Sequence, residues 1–217
     1  LGTAVVKKFL DSGHTVIAVD GSDTHLQFAK TNSNFQFKST DLKDEFATSA
    51  FIEETIARYG SIDAALLLVG GFAMGSIEET ETNAIREMIS LNFETAYNAA
   101  RPVFRSMIEK NNGRIVFVGA RPALKPEQGK KMIAYSLGKS LLFRLAELMN
   151  AEAKGKNVVA SVIVPSTIDT PANRQSMPNA NPADWVTPAQ IADTLDFICN
   201  QKGNPLRETV LKLYNNS

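Results

Sequence analysis

A tyrosine and a lysine lie four residues apart in the segment Ala-Tyr-Ser-Leu-Gly-Lys-Ser, as Tyr135 and Lys139. Side chains with this spacing share one face of a helix. A lysine ammonium beside a phenol favours the phenolate, so the pair predicts a lowered pKa for Tyr135 and a side chain that exchanges protons near neutral pH. The bare pattern is common and also fits a solvated helix face, so the position of the pair among the predicted strands and helices must distinguish these two interpretations.

Short apolar runs and longer helical patterns alternate along the chain. The runs are nearly continuous and rich in β-branched residues, which is typical of strands covered on both faces of a parallel sheet. The clearest runs cover residues 15–20, 62–69, 114–118 and 158–164, and two weaker ones cover residues 35–38 and 209–213. The helical patterns cover residues 2–12, 44–59, 78–110 (with a break near Thr82), 132–154 and 188–200.

This order predicts an α/β protein with a doubly wound, Rossmann-like parallel sheet in three αβα layers. The chain has no internal repeat and no linker, so we expect a single nucleotide-binding domain over residues 1–217. Residues 165–188 form a long polar stretch rich in proline and asparagine, and we expect this loop to cover the substrate. Tyr135 opens the helical pattern that follows the strand at 114–118, which favours a position at the carboxyl edge of the sheet.

Gly2 and Asp20 have the spacing of a dinucleotide site. A doubly wound sheet needs a central strand and a glycine-rich turn before its first helix, and Gly2 fits the last glycine of that turn. Asp20 ends the next strand, where an acidic residue binds the adenosine ribose and favours NAD(H) over NADP(H). We therefore expect a strand and further glycines to precede Leu1. The alternative is that Gly2 is an ordinary terminal glycine and Asp20 a strand-end turn residue.

Composition argues against several other classes of protein. Lys and Arg number 23 and Asp and Glu number 23, and this zero net charge disfavours partners such as nucleic acid or an anionic membrane. One cysteine, Cys199, and two histidines disfavour a disulfide framework, a metal site and a Ser-His-Asp hydrolase. No apolar run reaches the roughly 18 residues of a membrane span, and no signal-peptide pattern is present, so we predict a cytoplasmic location.

Taken together, these residues resemble the short-chain dehydrogenase/reductase family over essentially the whole chain. The motifs that carry the resemblance are the Gly2/Asp20 spacing, Asp41-Leu42, Gly70-Gly71, Asn92, Gly113-Arg114-Ile115-Val116, Tyr135-x-x-x-Lys139, and Pro165 to Thr170.

The resemblance implies a role for each of these residues. Tyr135 would be the acid/base, Lys139 would lower its pKa and hold the nicotinamide ribose, and Asn92 would support a water that links Lys139 to solvent. The remaining residues would contact the cofactor: Gly2 in the turn, Asp20 at the adenosine ribose, Asp41 and Leu42 beside the adenine, Gly70 and Gly71 along its backbone, and Pro165, Thr167 and Thr170 towards the nicotinamide and pyrophosphate.

Ala120 departs from the family pattern, because it stands where a catalytic serine normally lies. An alanine offers no hydrogen bond to a substrate carbonyl. One branch of the family, the quinonoid dihydropteridine reductases, is similar to this chain here, in the Gly-Gly-aromatic turn that ends at Phe72, and along residues 165–178. The resemblance places Ala120, Phe72 and Met177 beside the substrate.

The sequence thus predicts an NADH-dependent reductase of a small conjugated acceptor, with Tyr135 as proton donor. Two alternatives stay open: a short-chain carbonyl reductase or alcohol dehydrogenase, favoured by Asn92, and a nucleotide-binding protein without turnover. The resemblance also implies a homodimer or homotetramer that associates through the helices at 78–110 and 132–154.

Overall fold

The structure is a computed structural model that describes residues 1–216. Strands and helices alternate through most of the chain. In chain order they are α1 (Gly2–Asp11), β1 (Val16–Asp20), β2 (Phe35–Ser39), α2 (Glu45–Tyr59), β3 (Ala64–Leu67), α3 (Thr82–Ile89), α4 (Thr95–Lys110), β4 (Gly113–Val118), α5 (Arg121–Leu124), α6 (Pro126–Gly129), α7 (Ile133–Glu152), β5 (Val158–Pro165), α8 (Pro171–Ser176), α9 (Pro188–Cys199) and β6 (Val210–Leu213).

The chain divides into two compact units. Within residues 1–216, the first unit contains residues 1–41, 166–205 and 213–216, and the second contains residues 42–165 and 206–212. The α/β class with parallel strands is confirmed, and the described strands form one sheet of two strands and one of four. The single domain over residues 1–217 stays a prediction.

The first unit is built on the parallel pair β1 and β2, which are in register from Val16 beside Phe35 to Asp20 beside Ser39. Beneath this pair, α1 and the turn that follows β1 contribute Val6 and Leu26 to a small apolar core. The chain leaves α1 through Gly13, whose φ of +83° lies in the left-handed region where glycine is favoured.

The second unit holds the larger sheet, with strand order β3-β4-β5-β6. β3 pairs in parallel with β4, and β4 pairs in parallel with β5. Every residue of β4 and β5 is buried, which agrees with the continuous apolar runs that predicted these strands. The sheet therefore forms the buried centre of the second unit. Because β3 and β4 are parallel, their carboxyl ends lie at the same edge of the sheet.

The observed elements agree with the predicted ones to within two residues at their ends, apart from the helix predicted over residues 78–110. The break predicted near Thr82 is confirmed, since α3 begins at Thr82, but residues 78–81 before it are not helical. The Ser76 backbone N–H and hydroxyl both donate to Glu79 Oε2, at 2.9 and 2.8 Å, and this local turn keeps residues 78–81 out of the helix. A π-helical turn, Ser90–Glu94, then separates α3 from α4.

Three short helices were not predicted: α5, α6 and α8. Each has proline at one of its first two positions, which suits a helix start, but four to six residues are too few to show a helical period. α8 lies inside the stretch at 165–188, so part of this predicted loop is helical. No helix within residues 1–216 is long and apolar enough to cross a bilayer.

Candidate active site

The start of α7 fixes the position of the Tyr135/Lys139 pair. The N–H of Ile133, at the first position of α7, donates to Gly75 O at 3.1 Å, and Gly75 N donates to Lys131 O at 2.8 Å. A Cβ on Gly75 would lie 2.7 Å from Thr80 Oγ1, and its φ is +154°. Gly75 is thus required for this anchor, a role that no motif in the sequence indicated.

Lys139 reaches from α7 to the carboxyl end of β4. Its side chain is buried, with 5% of the residue exposed, and Nζ donates to Val118 O at 2.8 Å. Burial lowers the pKa of Lys139 to about 8, because a buried ammonium loses its hydration. Within residues 1–216 this carbonyl is the one hydrogen-bond acceptor of Nζ, so two of the three ammonium protons remain for a ligand.

Asn92 approaches the same place from the π-helical turn between α3 and α4. The residue is fully buried; its Oδ1 accepts a hydrogen bond from Gly71 N at 3.0 Å, and its Nδ2 donates to Met88 O at 3.1 Å. A π-helical turn shifts the facing of the residues it contains and is frequent at functional sites. Here it places the amide against the chain that leaves β3.

Gly70 lies where these two side chains converge. A Cβ on Gly70 would stand 2.6 Å from Asn92 Oδ1 and 2.9 Å from Lys139 Nζ, and one on Gly71 would stand 2.3 Å from Leu91 Cδ2. A side chain at either position would therefore displace these neighbours, and the displacement matters most at Gly70, where both neighbouring atoms are polar site atoms. The structure thus brings together Gly70, Gly71, Asn92 and Lys139, all four of which the sequence had singled out.

The ring of Tyr135 packs edge-on against Phe72, with ring centroids 5.1 Å apart and planes at 70°. Phe72 is 61% exposed, so one aromatic surface beside the phenol faces solvent. Burial raises the pKa of Tyr135 to about 12. The pKa of Tyr135 is therefore raised in the structure and not lowered as the pair predicted, because the loss of hydration around the phenol dominates. Lys139 Nζ donates its one observed hydrogen bond within residues 1–216 to Val118 O.

Ala120 lies two residues after the end of β4 and is the N-cap residue of the short helix α5. It is 4% exposed, and it presents a methyl group where a serine would present a hydroxyl. The preceding Gly119 could not carry a side chain, since a Cβ would lie 2.6 Å from Phe143 Cζ and 2.8 Å from Val162 Cγ1. The end of β4 thus supplies a backbone carbonyl to Lys139 and an apolar wall next to it.

The other predicted cofactor and substrate residues are divided between the two units. In the second unit, Leu42 lies in the turn before α2 and Pro165 ends β5. In the first unit, Gly2 begins α1, and Asp20 ends β1 with an exposed carboxylate whose Oδ1 accepts from Gly21 N. Asp41 is exposed, and Thr167 O accepts a hydrogen bond from Val186 N. Thr170 caps α8, and Met177 follows that helix.

Residues 1–216 contain no group of three His, Cys, Asp or Glu side chains arranged to hold a metal ion. In the first unit, the carboxylate of Asp169 pairs with the guanidinium of Arg174 through two hydrogen bonds, which lowers the pKa of Asp169. This pair stabilises the turn that contains Thr170.

Known proteins support the class of protein that this fold and site define. The model of the short chain dehydrogenase family matches residues 1–181. The chain therefore belongs to the short-chain dehydrogenase/reductase family, whose members are NAD(P)-dependent oxidoreductases acting on small molecules.

Individual relatives are distant but cover nearly the whole chain. The chain is 26% identical to a dihydropteridine reductase of Dictyostelium discoideum, over 98% of this chain and 89% of the relative. It is 24% identical to an acetoacetyl-CoA reductase of Acinetobacter sp. (strain RA3849), over 94% and 87%. The structure of ElxO with NADP bound superposes with a TM-score of 0.89 at 20% identity, over 98% of this chain and 92% of that one, which confirms the fold.

Proposed function

We propose that this chain is an NADH-dependent reductase of a small, flat, conjugated acceptor such as a quinonoid dihydropterin. The observation that carries the proposal is the buried ammonium of Lys139 one helical turn from Tyr135, whose ring packs against the exposed ring of Phe72. The dihydropteridine reductase among the relatives points to the same acceptor class.

The donors present fit a dinucleotide. The two remaining protons of Lys139 Nζ suit the paired hydroxyls of a ribose, and the absence of a side chain at Gly70 lets Lys139 Nζ and Asn92 lie close to the backbone there. Bound NADH supplies the hydride. We assign the cofactor contacts to Gly2, Asp20, Asp41, Leu42, Gly70, Gly71, Lys139, Pro165, Thr167 and Thr170.

Tyr135 supplies the proton. With a pKa of about 12 the phenol is protonated at neutral pH, so its O–H is ready to donate to a reduced nitrogen of the acceptor. The acceptor would thus gain one hydride and one proton, and Tyr135 would be the source of the proton. Lys139 is charged below pH 8, and this charge stabilises the phenolate that forms on Tyr135.

The absence of a hydroxyl at Ala120 suits this acceptor class. A conjugated imine system accepts hydride without a separate donor to a carbonyl oxygen, whereas a ketone loses roughly 3–4 kcal/mol of transition-state stabilisation when such a donor is missing. Phe72 offers an exposed ring on which a flat heterocycle can stack. We assign Phe72, Ala120 and Met177 to the substrate.

Preference for NADH over NADPH rests on Asp20. Its exposed carboxylate at the end of β1 would bind ribose hydroxyls and repel a 2′-phosphate. The relevant measurement is kcat/KM with NADH against kcat/KM with NADPH, in the wild type and in Asp20→Ser. A wild-type enzyme that favours NADPH would contradict this assignment.

The deciding experiment is NADH oxidation by the purified protein with quinonoid dihydropterin. We expect turnover in the wild type and a loss of about 100-fold or more in Tyr135→Phe, since general acid catalysis contributes about that much. Tyr59→Phe, at an exposed tyrosine near the end of α2, is the matched control and keeps full activity. A Tyr135→Phe enzyme with an unchanged rate would refute the mechanism.

A carbonyl reductase is the second candidate, because Asn92 is present and its amide packs beside Gly70 and Lys139. The acetoacetyl-CoA reductase among the relatives belongs to that class. A panel of ketones and alcohols distinguishes the two. A large gain on ketones in Ala120→Ser would favour this second candidate.

We also propose association into a homodimer or homotetramer through α4 and α7. Tyr97 on α4 and Leu148 on α7 are exposed apolar side chains on these helices, and such surfaces suit a helix-to-helix contact. Sedimentation of the wild type and of Leu148→Glu tests this, since the charge is expected to shift the protein towards monomer. A monomeric wild type would contradict the proposal.

A further inference from the structure

We infer that Asn98 is a positioning residue for the adenine end of the cofactor site. The inference rests on the proposed function, in which Leu42 flanks the adenine of NADH. Asn98 belongs to α4, more than fifty residues further along the chain, and no motif of the sequence pointed to it.

The contact is built from one side-chain amide and two successive carbonyls. Asn98 Nδ2 donates to Leu42 O at 3.0 Å and to Lys43 O at 3.3 Å. The asparagine is buried, with 9% of the residue exposed. A buried hydrogen bond to a fixed helix restricts the backbone more than an exposed one, because water cannot replace it without opening the packing.

Two carbonyls held by one amide fix two peptide planes in the turn before α2. The first of these planes begins at the Cα of Leu42, so the bond to Leu42 O restricts the ψ angle of Leu42 and the backbone from which its side chain projects. The turn is then followed by Asp44, whose Oδ1 accepts from Ala47 N at 3.0 Å and caps α2. The backbone of Leu42 is therefore bonded to α4 through Asn98, and the N-cap of α2 follows only two residues later.

A second contact from α4 is weaker. Arg101, one turn after Asn98, forms an ion pair with Glu45 at the start of α2, but both side chains are more than half exposed. Exposed pairs of this kind contribute little, because solvent screens them. The position of Leu42 thus depends chiefly on Asn98.

The test applies the same substitution, asparagine to leucine, at two positions. Asn98→Leu keeps the branched shape and the number of side-chain heavy atoms and removes the donor, and Asn98→Ala serves if the first variant does not fold. Asn150→Leu is the matched control, since Asn150 of α7 also binds the backbone of another element through its amide. Its Nδ2 donates to Ala160 O of β5 at 2.8 Å, and its Oδ1 accepts from Ala160 N at 2.9 Å.

The readout separates the two halves of the cofactor. We expect the dissociation constant of AMP and the KM for NADH to rise about fivefold or more in the Asn98 variants. We expect kcat, and kcat/KM with reduced nicotinamide mononucleotide, which lacks the adenosine, to stay near wild-type values. Asn150→Leu lowers the melting temperature and leaves AMP binding unchanged.

Other outcomes overturn the inference. Equal losses with NADH and with the mononucleotide would show a general structural role for Asn98, and so would the same loss of AMP binding in Asn150→Leu. An unchanged AMP affinity in the Asn98 variants, or no AMP binding by the wild type, also refutes it. A wild type that binds AMP but never oxidises NADH contradicts the proposed function, and AMP binding by the variants then still tests Asn98.

Discussion

Replacing Gly70 by alanine tests how the site is built. The added methyl carbon would lie 2.6 Å from Asn92 Oδ1 and 2.9 Å from Lys139 Nζ. Neither atom is free to retreat, since Asn92 Oδ1 holds the N–H of Gly71 and Lys139 Nζ holds Val118 O. The substitution must therefore break one of these bonds or displace the chain that leaves β3.

The expected magnitude follows from these contacts. Overpacking costs about 1–3 kcal/mol, and a lost hydrogen bond to a charged group costs about 1.5–3 kcal/mol. We expect the free energy of unfolding of Gly70→Ala to fall by about 2–4 kcal/mol. Because a catalytic group misplaced by about 1 Å can cost about 100-fold in rate, we expect kcat/KM for NADH to fall by about that factor.

Urea unfolding and steady-state kinetics measure the two effects, and Gly113→Ala provides the control. A Cβ on Gly113, at the start of β4, would lie 2.2 Å from Met107 Sδ, so this variant is also overpacked. We expect it to lose stability and to keep its kcat/KM once folded. The reasoning is refuted if Gly70→Ala keeps kcat/KM within about twofold of wild type, or if Gly113→Ala loses as much activity.

Burial lowers the pKa of Lys139 to about 8, so we expect kcat/KM to fall above pH 8. In Lys139→Arg the side chain stays charged, so the decrease in kcat/KM should begin at a higher pH. The free energy of unfolding should rise from pH 8 towards 10.5, because the unfolded chain keeps the Lys139 proton longer, and urea titrations of Lys139→Met should lack that rise. Phe72→Leu is expected to raise the KM for the acceptor about threefold to tenfold with kcat nearly unchanged; an unaltered KM would argue against stacking.

The elements were predictable where local pattern decides them. β4 and β5 are covered on both faces and show uninterrupted apolar runs, and the helix with Tyr135 and Lys139 on one face is observed as α7. The π-helical turn was not predictable, because residues 90–94 carry no glycine or proline to mark it. Asn92 owes its burial to that turn, so its position required the structure.

Contacts with backbone carbonyls were equally hidden from the sequence. Lys139 binds Val118 O and Asn98 binds Leu42 O, and a carbonyl is present at every residue, so residue type gives no sign of it. Ala120 was visible as a departure from a family motif. Its burial against the end of β4 was not.

The pKa directions of the pair show how burial changes an argument made from spacing. The four-residue spacing predicts only an attraction between an ammonium and a phenolate, and this attraction favours the charged form of each group. Burial disfavours both: it raises the pKa of Tyr135 to about 12 and lowers that of Lys139 to about 8. A neutral phenol beside an ammonium is the state that a reductase needs before hydride transfer, because the proton must leave the tyrosine as the acceptor is reduced. In the proposed function, the two ammonium protons of Lys139 that are not donated to Val118 O bind ribose hydroxyls, so both proposed roles would lie on one desolvated turn of α7.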